Sequence, residues 1–311
     1  MYLDHLNFKS NTATATAAAE SVSFMDCMEA ALECTEIHSS AAAYLIKAEA
    51  EYLSMGSEGE ALEGFWAKIK TVIRKLWETV KNLAVKVYTF VTGLPAKIGR
   101  AFGKLSIASK ADNIKKDFAE AKKGAKIDEA ERKGVKFLDI SKFDSQLKML
   151  AAYDGVDEDV GQGKGIDAER AKNAKLRNQI KEAIGNKNSS VWVSVKKLDD
   201  AKINEAFEAA KGKGTAGVVD KMLKDYANAS KKVQSDADKI AKGYDAAYKA
   251  KDQEKVKSIT KALSAGRAAL IENATNANFM ASITLKVNGS VLSAIRATIG
   301  AYKKEEKEDK K

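Results

Sequence analysis

His5 and His38 are the only histidines in the chain, Cys27 and Cys34 the only cysteines, and the chemistry open to them is narrow. Histidine is the commonest general base and a frequent metal ligand. Neither histidine here has a second ligand at metal spacing, which points to surface or capping roles. The cysteines stand seven apart on one face of a predicted helix, where they cannot readily bridge, and no disulfide framework is implied. A nucleophilic Cys27 is the sharper reading, and a small apolar filler on a packed helix face the better one. GQGKG (161–165) suggests a phosphate loop, but Walker A needs a glycine five before the Gly-Lys pair and Ser/Thr after it, and Glu158 and Gly165 hold those positions. DEDVG (157–161) lacks the ligand alternation and closing Glu of a calcium loop. The many Asp/Glu pairs fit i,i+4 ion pairing on helix surfaces. The sequence therefore carries no enzyme signature, and no metal or cofactor is expected.

The strongest pattern belongs to binding rather than catalysis. In GFWAKIKTVIRKLWETVKNLAVKVYTFVTG (64–93), Trp66, Ile69, Ile73, Leu76, Trp77, Val80, Leu83, Val87 and Phe90 recur at spacings of three and four, an amphipathic helix with a basic back. Trp66, Lys68, Lys70, Arg74, Lys75, Trp77, Lys81 and Lys86 are the candidate contacts. Indoles at headgroup depth with lysines against anionic lipid satisfy the needs of an interfacial membrane helix. The same lysines could meet DNA phosphates non-specifically, while base readout is poorly supported, with only Arg74, Asn82 and Arg100 suited to it. The structural alternative packs the stripe against the acidic N-terminal helices and pairs its bases with their carboxylates, because an exposed stripe of this size invites aggregation.

One proline in 311 residues, abundant Ala and Lys, and 45% apolar content favour a mainly α fold of long helices. A formal net charge of +10 suggests phosphate-rich partners. Residues 1–63 form an acidic, Ala-rich helical segment, with two lysines against eleven acids. Residues 64–105 are basic, with nine bases against Glu78, so the charge flips from −9 to +8 across GSEGEALEG (56–64), which reads as a linker. Leu94-Pro95 is expected to stop the basic helix, with a shorter piece resuming at 96–105. The middle region, 106–214, reads as helices at 107–126, 143–152, 167–184 and 199–211, with two short strands, KGVKFLDI and SSVWVSV, able to pair as a ribbon. The segment 154–165 reads as a flexible connector. Residues 215–302 carry a near-3.5 repeat and read as a long-helix hairpin, within one chain or as a homo-oligomer through helices 215–280. The NGS at 288–290 leaves a type I′ hairpin open. The tail 303–311 is charged and expected to be solvated. No run of about 18 uncharged apolar residues suggests a transmembrane span, and MYLDHLNFKSNTATATAAAES lacks the features of a signal peptide.

An acidic Ala-rich helix followed by GEALEGFWAKIKTVIRKLWETVKNLAVKVYTF resembles internal head and core proteins of large tailed bacteriophages, over about residues 40–105. The resemblance implies a non-enzymatic virion structural protein in the capsid interior, otherwise in the host cytoplasm, with other virion proteins as partners and DNA or anionic membrane as a contact. It also implies processing after Glu in small-x-Glu contexts: Gly56-Ser57-Glu58 before Gly59 and Ala61-Leu62-Glu63 before Gly64 fit, as does Ala18-Ala19-Glu20. A membrane-active helical protein and a non-specific nucleic-acid-compacting protein are the alternatives.

Overall fold

The computed structural model describes residues 23, 25–33, 59–103, 111–123, 125–154, 164–208 and 217–308. The fold is mainly α, as the composition predicts. A short helix, α1 (25–33), precedes α2 (Gly59–Gly103), α3 (Ala111–Ala121) and α4 (Ala125–Arg132). Then follow β1 (Lys136–Leu138), a 3-10 turn (Ile140–Phe143), α5 (Asp144–Lys148), α6 (Lys164–Gly185) and β2 (Trp192–Ser194). After α7 (Asp200–Glu208) come the two longest C-terminal elements, α8 (Gly217–Lys249) and α9 (Gln253–Glu308).

Three long helices make the frame, since α2, α8 and α9 pack mutually along their lengths. The predicted stripe of α2 is buried: Trp66, Ile69, Ile73, Leu76, Val80, Leu83, Val87 and Phe90 all join the core. Among the described residues it packs mainly on α8 and α9, and Cys27, Ala30 and Ala31 of α1 enter the same core. Only 25–33 of the predicted N-terminal helical stretch falls within the described residues. That helix opens with a reciprocal cap: the Asp26 N–H donates to Ser23 Oγ at 3.1 Å, and the Ser23 N–H donates to the Asp26 carboxylate.

Proline does not stop α2. The helix runs through Pro95, which leaves the Val91 carbonyl without its intrahelical donor. Leu94 and Ile98, 4% and 2% exposed, clamp the turn on both sides of the ring, and their burial outweighs the missing bond. Likewise α2 begins at Gly59, so the latter part of the expected linker is helix, while 56–58 lie outside the described residues. Pro95→Ala is expected to stabilise the protein by about 1–2 kcal/mol, part of the roughly 3 kcal/mol that proline costs in a helix interior; urea unfolding checks this.

The hairpin α8–α9 forms within one chain. Its turn places Lys251 at φ 54°, the left-handed region. There the Asp252 N–H reaches back to the Ala247 carbonyl at 3.0 Å, and the Asp252 Oδ1 accepts the Lys255 N–H at 3.0 Å to cap α9. The central part of α9 is buried on most sides, and between Arg267 and Lys286 its one charged residue is Glu272. NGS at 288–290 is helical and makes no hairpin, because Val287, Val291, Leu292 and Ile295 bury at helical spacing around it. The Ser290 hydroxyl is used twice, donating to the Val287 carbonyl at 2.7 Å and accepting the Leu138 N–H at 2.8 Å, which pins β1 to α9.

The expected ribbon is present, antiparallel, with Lys136 opposite Ser194, Phe137 opposite Val193 and Leu138 opposite Trp192. It is shorter than the two sequence runs suggest: Ile140 turns into the 3-10 helix that Asp139 caps, and Val195 starts another. Trp192 Nε1 donates to the Ile184 carbonyl at 3.0 Å, fixing the ribbon to the end of α6. Within the described residues the predicted helix at 107–126 corresponds to α3 and the first two residues of α4, which runs on beyond it to Arg132; the one at 143–152 contracts to α5; and the one at 199–211 is α7 as far as Glu208, with 209–211 outside the described residues. The one at 167–184 extends back to Lys164, and most of the expected connector before it, 155–163, lies outside the described residues.

Candidate interaction surface on the basic helix

Helix α2 presents its bases along two edges that flank the buried stripe. At about 100° per residue, Lys70, Arg74 and Lys81 share the edge facing α8, while Lys68, Lys75 and Lys86 share the other. The chain directions are opposed: Trp66 meets Tyr248, Lys70 meets Asp245, Lys81 meets Asp238 and Tyr88 meets Lys231.

The α8 edge is internally neutralised. Asp238 Oδ1 accepts Trp77 Nε1 at 3.1 Å and pairs with Lys81 Nζ at 3.0 Å, and that ammonium also lies 4.6 Å above the Trp77 ring. Lys70 lies 3.7 Å from Asp245 and 5.1 Å above Tyr248, and Arg74 pairs with Glu78 at 3.6 Å. Among the described residues, the acids that pair with the basic helix on this edge come from α8 and from α2 itself; most of the acids of 1–63 lie outside the described residues.

The two indoles behave differently from the bases. Trp66 is 2% exposed and stands edge-on to Tyr248, 6.2 Å between centroids at 82°. Trp77 is half-buried with its ring N–H committed to Asp238. In this conformation no indole of α2 is presented for insertion into lipid. Lys68, Lys70, Arg74 and Lys75 are exposed, Lys81 and Lys86 half-buried. Lys68 and Lys75 make no ion pair with a described residue. Of the processing candidates, Glu58 lies outside the described residues, and Glu63 lies within the first turns of α2.

Sequence reasoning missed a buried polar cluster where α6 meets α9. Glu272, 3% exposed, pairs with Arg177, accepts from Asn173 Nδ2 at 3.2 Å, and has Arg170 Nε at 3.8 Å. Arg177 also donates to Asn276 Oδ1, and Asn173 Nδ2 reaches Tyr153 Oη at 3.0 Å. Asn273 closes the cluster by bonding both the Tyr153 N–H and its carbonyl, each at 2.9 Å. Burial first, and the Glu272 charge second, push the Tyr153 hydroxyl up to about 12, so it remains a neutral hydrogen-bonding group. The available signal was ENATNAN (272–278): a carboxylate and asparagines inside an otherwise apolar stretch imply buried partners.

A cleft of about 620 Å³ lies between the 3-10 turn, α7, the start of α8 and α9, floored by Val218, Val287 and Val291. On its wall Asp139 Oδ1 accepts the Ser141 hydroxyl at 2.7 Å and Oδ2 accepts Lys202 Nζ at 3.1 Å. Burial opposes ionisation of Asp139, but these bonds outweigh it and lower its pKa. Glu205 beside them is raised, by burial first and by Asp144 second. Among the described residues no group of three or more His, Cys, Asp or Glu is placed to hold a metal, and no helix is long and apolar enough to cross a membrane.

Comparison with protein-family models, with curated proteins and with solved structures found no match.

Proposed function

We propose that the chain is a non-enzymatic structural protein of a bacteriophage virion, packaged with DNA and touching the duplex backbone through the outward lysines of α2. The observation that carries the DNA contact is the division of labour on α2: its apolar stripe and Trp66 are consumed by α8 and α9, while Lys68 and Lys75 face outward. Phosphate contact needs outward bases and no apolar insertion. A membrane helix needs both, and here Trp66 would have to leave the core. The likeness of residues 40–105 to internal head proteins supplies the virion setting.

The charge-reversing pair Lys68→Glu with Lys75→Glu tests the contact. Both residues are exposed, so the fold is expected to persist. Each phosphate contact removed should lower the log–log salt slope of binding to duplex DNA by about 0.9, and the double variant by nearly twice that. Fluorescence anisotropy on a labelled duplex across a salt series reads it, and an unchanged slope would place the contact elsewhere. Anionic vesicles are the companion measurement: binding with a blue shift of tryptophan emission would favour the membrane-active reading. Mass spectrometry of purified particles tests residence in the virion and locates any mature N-terminus. A cut after Glu58 leaves α2 whole, whereas one after Glu63 removes Gly59–Glu63 from its start.

A further inference from the structure

The cleft between the 3-10 turn, α7, the start of α8 and α9 has, at about 620 Å³, the volume of a small-ligand site, for which about 300–1,000 Å³ is usual. Val218, Val287 and Val291 give it an apolar floor. Asn288, from the NGS run of α9, lines it beside them. That residue is only 6% exposed, and its amide makes no hydrogen bond with a described residue. Buried amides are ordinarily satisfied, so an unpartnered one on the wall of a cavity points to a ligand. Thr284, also lining the cleft, stands one helical turn before Asn288 on the same face of α9.

The wall as a whole is rich in acceptors and poor in donors. Asp139, Asp144, Glu205 and Glu208 bring four carboxylates against one ammonium, that of Lys202. This ammonium is already committed, 3.1 Å from Asp139 Oδ2 and 3.8 Å from Asp199 Oδ2. Asp144 and Glu205 have no ion pair with a described residue. The hydroxyls turn their hydrogens inward: Ser141 donates to Asp139 Oδ1 at 2.7 Å and Thr284 to the Met280 carbonyl at 2.9 Å, so both offer the cleft lone pairs alone. The start of α8 adds a partial positive charge of about half, which Asp220 in its own first turn offsets. The complement of such a surface is positively charged and rich in donors, with an apolar stretch to cover the valines. A primary ammonium has three donors and no acceptor.

We propose that this cleft binds a linear aliphatic diamine: one ammonium lies against Asp144 and Glu205, the methylene chain covers the valines, and the second ammonium donates to Asn288 Oδ1 and Thr284 Oγ1. None of these residues belongs to α2, so the site stands apart from the DNA contact proposed above. The net charge of +10 disfavours loose accumulation of cations on the rest of the surface, which makes saturable binding here a specific result.

The test is a two-dimensional NMR titration of the full-length protein with 1,3-diaminopropane, 1,4-diaminobutane, 1,5-diaminopentane and 1,6-diaminohexane. The backbone amides of Val218 and Val219 and the side-chain amide of Asn288 are the reporters. Saturable shifts at these groups are expected, with a Kd of about 1 mM or tighter for the best chain length. Hexylamine and hexane-1,6-diol should each bind about tenfold more weakly than the best diamine, the worth of a hydrogen bond to a charged group. No saturable shift at the cleft with any diamine would overturn the site. Equal binding of hexylamine would remove the second ammonium position, and equal binding of the diol would overturn the recognition of charge. Glu205→Gln, at the exposed rim, should weaken the best diamine up to about fivefold, while Glu182→Gln on the outer face of α6 removes the same charge and should leave affinity unchanged. Equal losses in the two variants would mean a diffuse field in place of a site. Asn288→Leu should act in opposite directions, raising the urea midpoint of the free protein by replacing an unpartnered buried amide with an apolar group of similar size, and weakening the diamine. A lowered midpoint would give Asn288 a structural role and overturn its assignment to the ligand.

Discussion

Arg177→Ala is expected to lower the unfolding free energy by about 3–5 kcal/mol, the cost of stranding a buried carboxylate. Glu272 lies in the most apolar part of α9, and Arg177 is the one cation bonded to it that is itself nearly buried, its side chain 12% exposed. Arg170 stands 3.8 Å away but is 39% exposed, too far and too wet to replace it. Removal of Arg177 also frees Asn276 Oδ1, in a residue whose Nδ2 already has no partner among the described atoms. The control is a double variant, Arg177→Met with Glu272→Leu. It trades the pair for apolar volume and should recover much of the loss, since an ion pair and its hydrophobic isostere differ far less than a pair and its broken half. Recovery will be incomplete, because Asn173 and Asn276 keep polar atoms that the pair satisfied. Chemical denaturation of the two single variants and the double closes the cycle. A loss under about 1 kcal/mol for Arg177→Ala would mean that water reaches Glu272 and the clasp between α6 and α9 is looser than its geometry implies.

The same region shows what a single sequence conceals. The apolar period of α2 is local information: the spacing of Trp66, Ile69, Ile73 and Leu76 already defines a face, and that face is the buried one. The ribbon was legible for a similar reason, since VKFL and VWVSV concentrate β-branched and aromatic residues between helical runs. Partners are another matter. The acid-rich N-terminal segment and the basic helix that follows it suggest mutual neutralisation, yet Lys70 and Lys81 pair with Asp245 and Asp238, far along the chain. Net charge per segment does not encode which carboxylate comes within 4 Å. Pro95 shows the limit of local rules from the other side. The exclusion of the residue before proline from the α region is a preference of about one or two hydrogen bonds' worth, and buried Leu94 and Ile98 overrule it. The Glu272 cluster joins side chains some 95 to 120 positions apart, so its members stood out only as misplaced polar residues.

Trp66→Ala is the second large effect expected, about 3–5 kcal/mol, because the cavity left by an indole in a packed core adds to the lost transfer energy. Trp66 touches Tyr248 at the end of α8 next to the hairpin turn, so its removal loosens the junction where α2 begins to meet α8. Trp77→Ala should cost less, about 1–2 kcal/mol, since that ring is half-buried and loses mainly its bond to Asp238 and the stacked Lys81. The ratio separates the two roles for the stripe. If α2 works folded, through its outward bases, Trp66→Ala lowers stability while duplex binding measured well below the midpoint is unchanged. If α2 works by leaving the core for a membrane, the same substitution weakens the hold of the core on the helix, and vesicle binding per molecule should increase at first and then lack the blue-shifted emission of an inserted indole at position 66. Urea unfolding gives the first quantity and vesicle titration the second. A variant that is destabilised, binds duplex normally and gains no affinity for vesicles would fix α2 as a core helix with a cationic exterior.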